Sequence, residues 1–445
     1  MKMKIQLSDH FTYKMLLRFV LPSIIMMVFT SIYGVVDGLF VSNFVGKTPF
    51  AAVNLVMPFI MIFGGIGFMF GTGGSALVAK TMGEGDKHRA NQYFTMMIAV
   101  TLICGVIIST VGVIYMEPIS VFLGADEEML ADCVLYGRIV LAFNTAFMLQ
   151  NVFQSFLIAA EKPKLGLWIT VAAGVTNMVL DALFMAVFHW GVAGAAIATG
   201  ISQVVGGVLP LVYFLRPNSS LLRLSPTRLR LRPILAACGN GSSELMSNIS
   251  SSLVSMVYNL QLLRLAGEDG VSAYGVLMYV QFIFISIYIG YSIGCAPVVS
   301  YHYGAQNHGE LKNLLGKSVL LMGITGVALT ALAMALADPL ARLFVGYDAE
   351  LFALTSHAFR LFAWSFLLAG FNIFASGFFT ALNNGGVSAA ISFLRTLVFQ
   401  SASVLILPVF FGVDGIWWAI TVAEVFAFLI SVLFLLAKRG KYHYM

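Results

Sequence analysis

Gly174-Val175-Thr176-Asn177-Met178-Val179-Leu180-Asp181 sets a carboxylate inside an apolar run long enough to cross a bilayer. On a helix Asn177 and Asp181 share a face, and Gly174 extends that face by one turn. An ionisable group at that depth costs roughly 2.5–3.5 kcal/mol on insertion scales and usually faces a cavity or a partner. A second carboxylate of the same kind, Asp37, lies in the first apolar segment.

The chain has 445 residues, 59% of them hydrophobic and 10% charged, with a mean hydropathy of +0.91. Soluble domains carry about 25% charged residues, so this composition implies a multi-span membrane protein. Cys104, Cys133, Cys238 and Cys295 lie far apart, mostly in apolar segments and without metal or disulfide spacing. They are expected to be buried free thiols. Met1–Asp9 is polar and has no small-residue cleavage site after an apolar run, so the start does not read as a removable signal peptide.

Windows of about 20 residues give twelve spans. They run approximately 15–40, 52–79, 91–115, 129–159, 165–188, 192–215, 234–263, 272–300, 316–337, 351–382, 387–411 and 416–437. Pro22, Pro58 and Pro297 are candidate bend points, because each removes a helical hydrogen bond. Loops on one side carry basic residues such as Lys14, Lys80, Lys87, Lys162, Arg228, Lys312 and Arg439. The opposite loops carry acids such as Glu117, Asp126, Glu268, Asp338 and Asp414. The positive-inside rule then puts both termini in the cytoplasm of a plasma-membrane protein.

The basic stretch 216–233 divides an N-terminal lobe (1–215) from a C-terminal lobe (234–445), and the halves resemble each other. Val78–Asp86 matches Val299–Asn307 at a shift of about 221 residues. Gly191-Val192-Ala193-Gly194 likewise matches Gly412-Val413-Asp414-Gly415. Six spans per half make the repeats parallel, related by an axis along the membrane normal. The expected fold is therefore all-α, two six-helix repeats suited to alternating access.

Counting from the cytoplasmic start of its span, Asp181 lies roughly 24 Å along the helix. Asp37 is about 20 residues into its own span, on a face shared with Tyr33 and Thr30. Both fall in the outer half of the N-terminal lobe, where close carboxylates can share one proton. The competing explanation is interhelical hydrogen bonding that only holds the lobe together. Thr199 and Gln203, four apart on the sixth span, offer further oxygens beside Asp181. Glu244 in the seventh span and Glu424 in the twelfth are the other acids expected to be buried, and both are secondary candidates. Gly239–Glu244 reads as a flexible inner helix end. Arg138, Arg360 and Arg395 read as structural cations, snorkelling or paired.

Spans one, two, seven and eight are expected to meet between the lobes. Their methionines and aromatics, among them Met26, Tyr33, Met57, Met61, Tyr258, Met278 and Tyr279, are candidate lining for amphipathic guests. Gly64-Gly65-Ile66-Gly67 and Gly71-Thr72-Gly73-Gly74 lack the Lys-Ser/Thr of a phosphate loop and suit close helix packing instead. No nucleotide site, metal-ligand spacing or nucleophile–base set is visible, so neither an ATP-driven pump nor an enzyme is expected, and no nucleic-acid partner.

The chain resembles the multidrug and toxic-compound extrusion family. The resemblance is carried by Leu21-Pro22-Ser23, Val36–Val41, Val78–Asp86 with its second-half counterpart, Asn177–Asp181 and Gly191–Thr199. It implies a V-shaped pair of six-helix bundles exporting organic cations and other drug-like molecules by H⁺ or Na⁺ antiport, without a cofactor and as a monomer. It also implies that Asp37, Asn177, Asp181 and Thr199 match a cation-coupling cluster, and Pro22 a bend in the first helix. One branch of the family carries acids in spans seven and ten. Here Asn248 stands at the first of these, and 351–382 contains neither Asp nor Glu. The alternative is a flippase of lipid-linked oligosaccharides, which should line its cavity with Arg or Lys. Spans one, two, seven and eight hold basic residues only near their ends, such as Arg18 and Lys80.

Overall fold

The structure is a computed structural model describing residues 5–445. Its described residues are helical throughout, with short turns and one longer linker. The N-terminal repeat comprises α1 (Tyr13–Phe44), α2 (Lys47–Gly83), α3 (Lys87–Phe122), α4, α5 (Pro163–Val187) and α6 (Gly191–Leu215). Helix α4 is broken between Leu130–Ala142 and Asn144–Ala159, which meet at 51°. The next helical stretch, Leu231–Gly304, has 74 residues, far longer than a bilayer requires. It is two spans, α7 (231–266) and α8 (268–304), joined at Gly267, whose φ of 61° only glycine adopts readily. Helices α9 (His308–Val345), α10 (Ala349–Ala381), α11 (Gly385–Phe411) and α12 (Val413–Tyr442) complete the twelve.

The repeat is written into the turns. Left-handed φ recurs at Gly85 and Gln306, at Glu161 and Asn383, and at Gly191 and Gly412, each pair about 221 residues apart. Asp86 and Asn307 cap α3 and α9, accepting the amides of Arg89 and Glu310 respectively. The same turn chemistry thus starts the same helix in both halves.

Several expectations need correction. Gly239–Glu244 lies inside α7 and is helical, not a loose end. Helix α7 begins at Leu231, within the stretch expected as linker, with Pro233 in its first turn where the missing N–H costs nothing. All four cysteines are free, but only Cys133 and Cys295 are buried; Cys104 and Cys238 are partly exposed. Glu244 is partly exposed, whereas Glu310, which the sequence did not single out, is buried.

The lobes touch along α1, α2, α7 and α8 through backbone-to-backbone crossings at glycine. A Cβ on Gly83 would stand 2.0 Å from the carbonyl oxygen of Tyr301, and one on Gly304 would stand 2.0 Å from that of Lys80. Gly73 against Ala237 and Gly241 against Met69 repeat the pattern further along. All four crossings belong to the end of the molecule that carries the basic loops.

That end is also strapped by the N-terminal segment. Glu310 accepts the backbone amide of Phe11 at 2.9 Å, the Nδ2 of Asn313 at 2.7 Å and His10 Nδ1 at 2.6 Å. Lys317 Nζ and Asn313 Nδ2 both donate to the Phe11 carbonyl, and Leu7 N donates to Glu161 on the N-terminal lobe. Hydrogen bonds to a charged group are worth about 1.5–3 kcal/mol each. Glu310→Ala is therefore expected to raise amide hydrogen exchange at residues 7–11 by at least roughly tenfold. Unchanged protection there would show that Glu310 does not hold the strap.

Candidate functional site

Asp37 lies on α1 and Asn177 and Asp181 on α5, two helices packed along each other. A Cβ at Gly174 would fall 2.5 Å from the Phe29 ring and 2.7 Å from that of Tyr33, so the missing side chain lets α1 lie close to α5. The Asp37 carboxylate consequently faces both Asp181 and Asn177. Asp181 is fully buried, Asn177 is 2% exposed, and Asp37 is half-buried. Immediately after Asp181 the helix widens into a π-turn, Ala182–Val187. Such bulges are rare in helices and occur frequently at functional sites.

The oxygens of this cluster are short of donors. Asp37 Oδ1, Asn177 Oδ1, Asp181 Oδ1 and Oδ2, and Gln203 Oε1 are all buried without a hydrogen-bond partner. Buried polar atoms normally find a partner, and buried charges are paired or bind a cation. Gln203 and the half-buried Thr199 sit on α6, which packs against α5 and α1. Thr199 makes no side-chain hydrogen bond to the carboxylates among the described residues; its carbonyl accepts from Ser202.

Two residues beside the carboxylates escaped the sequence reading. Tyr136 of α4 lies within electrostatic reach of both aspartates, and its hydroxyl meets Met57 Sδ at 3.4 Å. Gln150, in the second half of α4, faces Tyr33. Polar residues cluster at Gln150, Asn151 and Gln154, which was the available signal.

The remaining candidates are dispersed. Met26 is buried, close to Gly166 of α5. Tyr258 is buried and stacks on Tyr274 with ring centres 5.0 Å apart. Met57 and Met278 are half-buried, Met61 and Tyr279 exposed. Asn248 of α7 packs on Gly65 of α2 and donates to the Glu244 carbonyl at 2.8 Å. Arg360 pairs with Asp338 at 2.8 Å and Arg138 donates to the Val113 carbonyl. Glu424 is held bidentately by Arg395.

Twelve spans in two repeats, with an acid buried inside each, Asp181 and Glu424, define the class of a multi-span membrane protein, and its family makes it a transporter. The MatE family model matches residues 22–183 and 245–403, and the chain belongs to that family. It is 25% identical over 437 residues to the multidrug export protein MepA of Staphylococcus saprophyticus, covering 96% of this chain and 94% of that protein. MepA of Staphylococcus aureus is 23% identical over 435 residues, with the same coverage. Among solved structures, the outward-facing conformation of a multidrug resistance MATE family transporter superposes with a TM-score of 0.92 at 23% identity, covering 97% of each chain. A MOP superfamily transporter of Pyrococcus furiosus, described as having a binding pocket of reversed polarity, superposes with a TM-score of 0.86 at 25% identity over 96% of each chain.

Proposed function

We propose that the protein is a secondary active multidrug exporter of the plasma membrane, moving organic cations or amphipathic compounds outward in exchange for H⁺ or Na⁺. The observation that carries this is the set of donor-free oxygens on Asp37, Asn177 and Asp181. A cluster of acceptors buried together needs a proton or a small cation. The names of the MepA relatives support the substrate class.

The positive-inside rule applied to the basic loops supports cytoplasmic termini. In that orientation the glycine crossings and the N-terminal strap lie at the inner side, which supports reading the carrier as closed toward the cytoplasm. Binding of the ion from outside at Asp37 and Asp181 repacks α1 against α5, releases the substrate from between the lobes, and resets the carrier. A bound ion drives that step only through different affinities in the two access states. Thr199 supplies a further oxygen in one of those states, and the carrier works as a monomer.

The test is reconstitution of the purified chain in liposomes carrying an imposed proton gradient alone or sodium gradient alone. A fluorescent organic cation is expected to accumulate against its own gradient under one of the two. Accumulation under neither would end the antiport reading, and the gradient that works names the ion.

A further inference from the structure

Shifts of 222 residues across α4 and 221 in α1 and α6 align Asp37 with Tyr258, Gln150 with Asn372 and Gln203 with Glu424. Packing agrees with that register: a Cβ on Gly207 would lie 3.2 Å from Leu149 Cβ in the first lobe, and the Phe371 ring lies against its counterpart Phe428 in the second.

The same place in the two lobes carries opposite electrostatics. In the N-terminal lobe the oxygens of Asp37, Asp181 and Gln203 are buried without donors. In the C-terminal lobe the matching helix α11 carries Arg395, within a π-turn of its own, Leu394–Phe399. Its Nε stands 3.0 Å from each Glu424 oxygen and its Nη2 2.7 Å from Oε1. Asn372 Nδ2 donates to Oε2 at 2.7 Å, and Ser431 Oγ reaches Asn372 Oδ1 at 3.1 Å. Glu424 is 1% exposed, and both its oxygens are satisfied by protein donors.

We propose that this cluster is a second ion site closed by a resident cation. The Arg395 guanidinium takes the place of the exchangeable ion, so the C-terminal lobe stays charge-balanced through the cycle and only the N-terminal lobe exchanges. This rests on the coupling role given above to Asp37 and Asp181. Removing the guanidinium exposes Glu424 as a site for a monovalent cation, either a proton or an alkali ion. The charged and titratable groups facing Glu424 are Arg395 from α11 and the phenols of Tyr258 from α7 and Tyr288 from α8. The Tyr288 hydroxyl is committed to the Phe366 carbonyl at 2.7 Å. The Tyr258 hydroxyl is buried without a partner and stands ready to join such a site.

The experiment places Arg395→Gln in the full chain that already carries Asp37→Asn and Asp181→Asn. Radioactive sodium binding at fixed pH and proton uptake in unbuffered detergent solution separate the two ions. One additional equivalent of sodium or of protons is expected, and Glu424→Gln should remove it. Equal binding with and without Glu424→Gln would overturn the proposal. Should Arg395→Gln be unstable, its melting temperature is expected to recover with added sodium or falling pH, and with Glu424→Gln under any condition. Recovery with neither ion would also overturn it. Ion binding by the wild-type chain, and its loss in Asp37→Asn/Asp181→Asn, tests the coupling reading separately, because the Arg395→Gln arm is read with that site already removed.

Discussion

Asp181→Asn is expected to lower uphill export of an organic cation by roughly 100-fold or more, to the background of empty liposomes, while the protein still folds. Asp181 is fully buried and neither carboxylate oxygen has a partner. Asparagine keeps the volume but removes the charge and one acceptor, so the cluster loses the group on which a cation or proton is held. Losing about 2.5–3.5 kcal/mol of charge-dependent bias corresponds to about two decades in the population that the ion controls. Stability should move the other way. An unpaired buried carboxylate costs free energy, so the melting temperature of the variant is expected to be unchanged or higher. Downhill substrate flux should persist, because the lobes can still exchange conformations without the ion bias. Asp37→Asn should have the same effect, and the double variant should be no worse than either single one, since two groups sharing one ion act as a unit. An Asp181→Asn protein that still built a wild-type substrate gradient would remove this residue from coupling.

What was legible in the sequence is what is local or periodic. Apolar runs gave the twelve spans, and the match of Val78–Asp86 with Val299–Asn307 gave the repeat, which the structure repeats in the turns at Gly85 and Gln306. The apposition of Asp37 and Asp181 followed from depth along each span, because a helix converts residue number into height at about 1.5 Å per residue. Pairings across helices left no local mark. Arg395 reads as a structural cation, snorkelling or paired, and Glu424 as a secondary candidate acid, but that each is the other's partner joins two helices, and no spacing encodes it. Glu310 sits beside a turn and reads as an ordinary exposed acid, yet it is buried by a segment 299 residues earlier in the chain. Tyr136 was hidden for a different reason: one phenol in an apolar span is indistinguishable from membrane-interface or core packing until a neighbouring charge is located. Gly267 shows the limit on boundaries. The acids Glu268 and Asp269 announced a loop, but one glycine makes the whole turn and the helices run up to it on either side.

Gly83→Val and Gly304→Val are each expected to force open the end of the molecule where the lobes now meet. The two positions are counterparts in the repeat, and each presses on the backbone of the other helix. A Cβ at either would stand 2.0 Å from a carbonyl oxygen that is itself fixed in a helix, with the amide of Ala305 at 2.9 Å from Gly83 as well. A side-chain rotation cannot relieve contact with backbone, so α2 and α8 must separate. Overpacking of this kind costs about 1–3 kcal/mol, which lowers the population of the closed arrangement by roughly 10- to 100-fold relative to arrangements in which this crossing is apart. Spin labels at the exposed positions Lys87 and Ala305, in a cysteine-free chain, should report a longer distance in either variant. Gly275→Ala is the control, since nothing lies within 4 Å of a Cβ there. Export should fall with the closed population, because alternating access requires that seal once in every cycle. Unaltered label distances in both valine variants would mean that the glycine crossing does not hold the lobes together, leaving the strap at Glu310 to carry the closure alone.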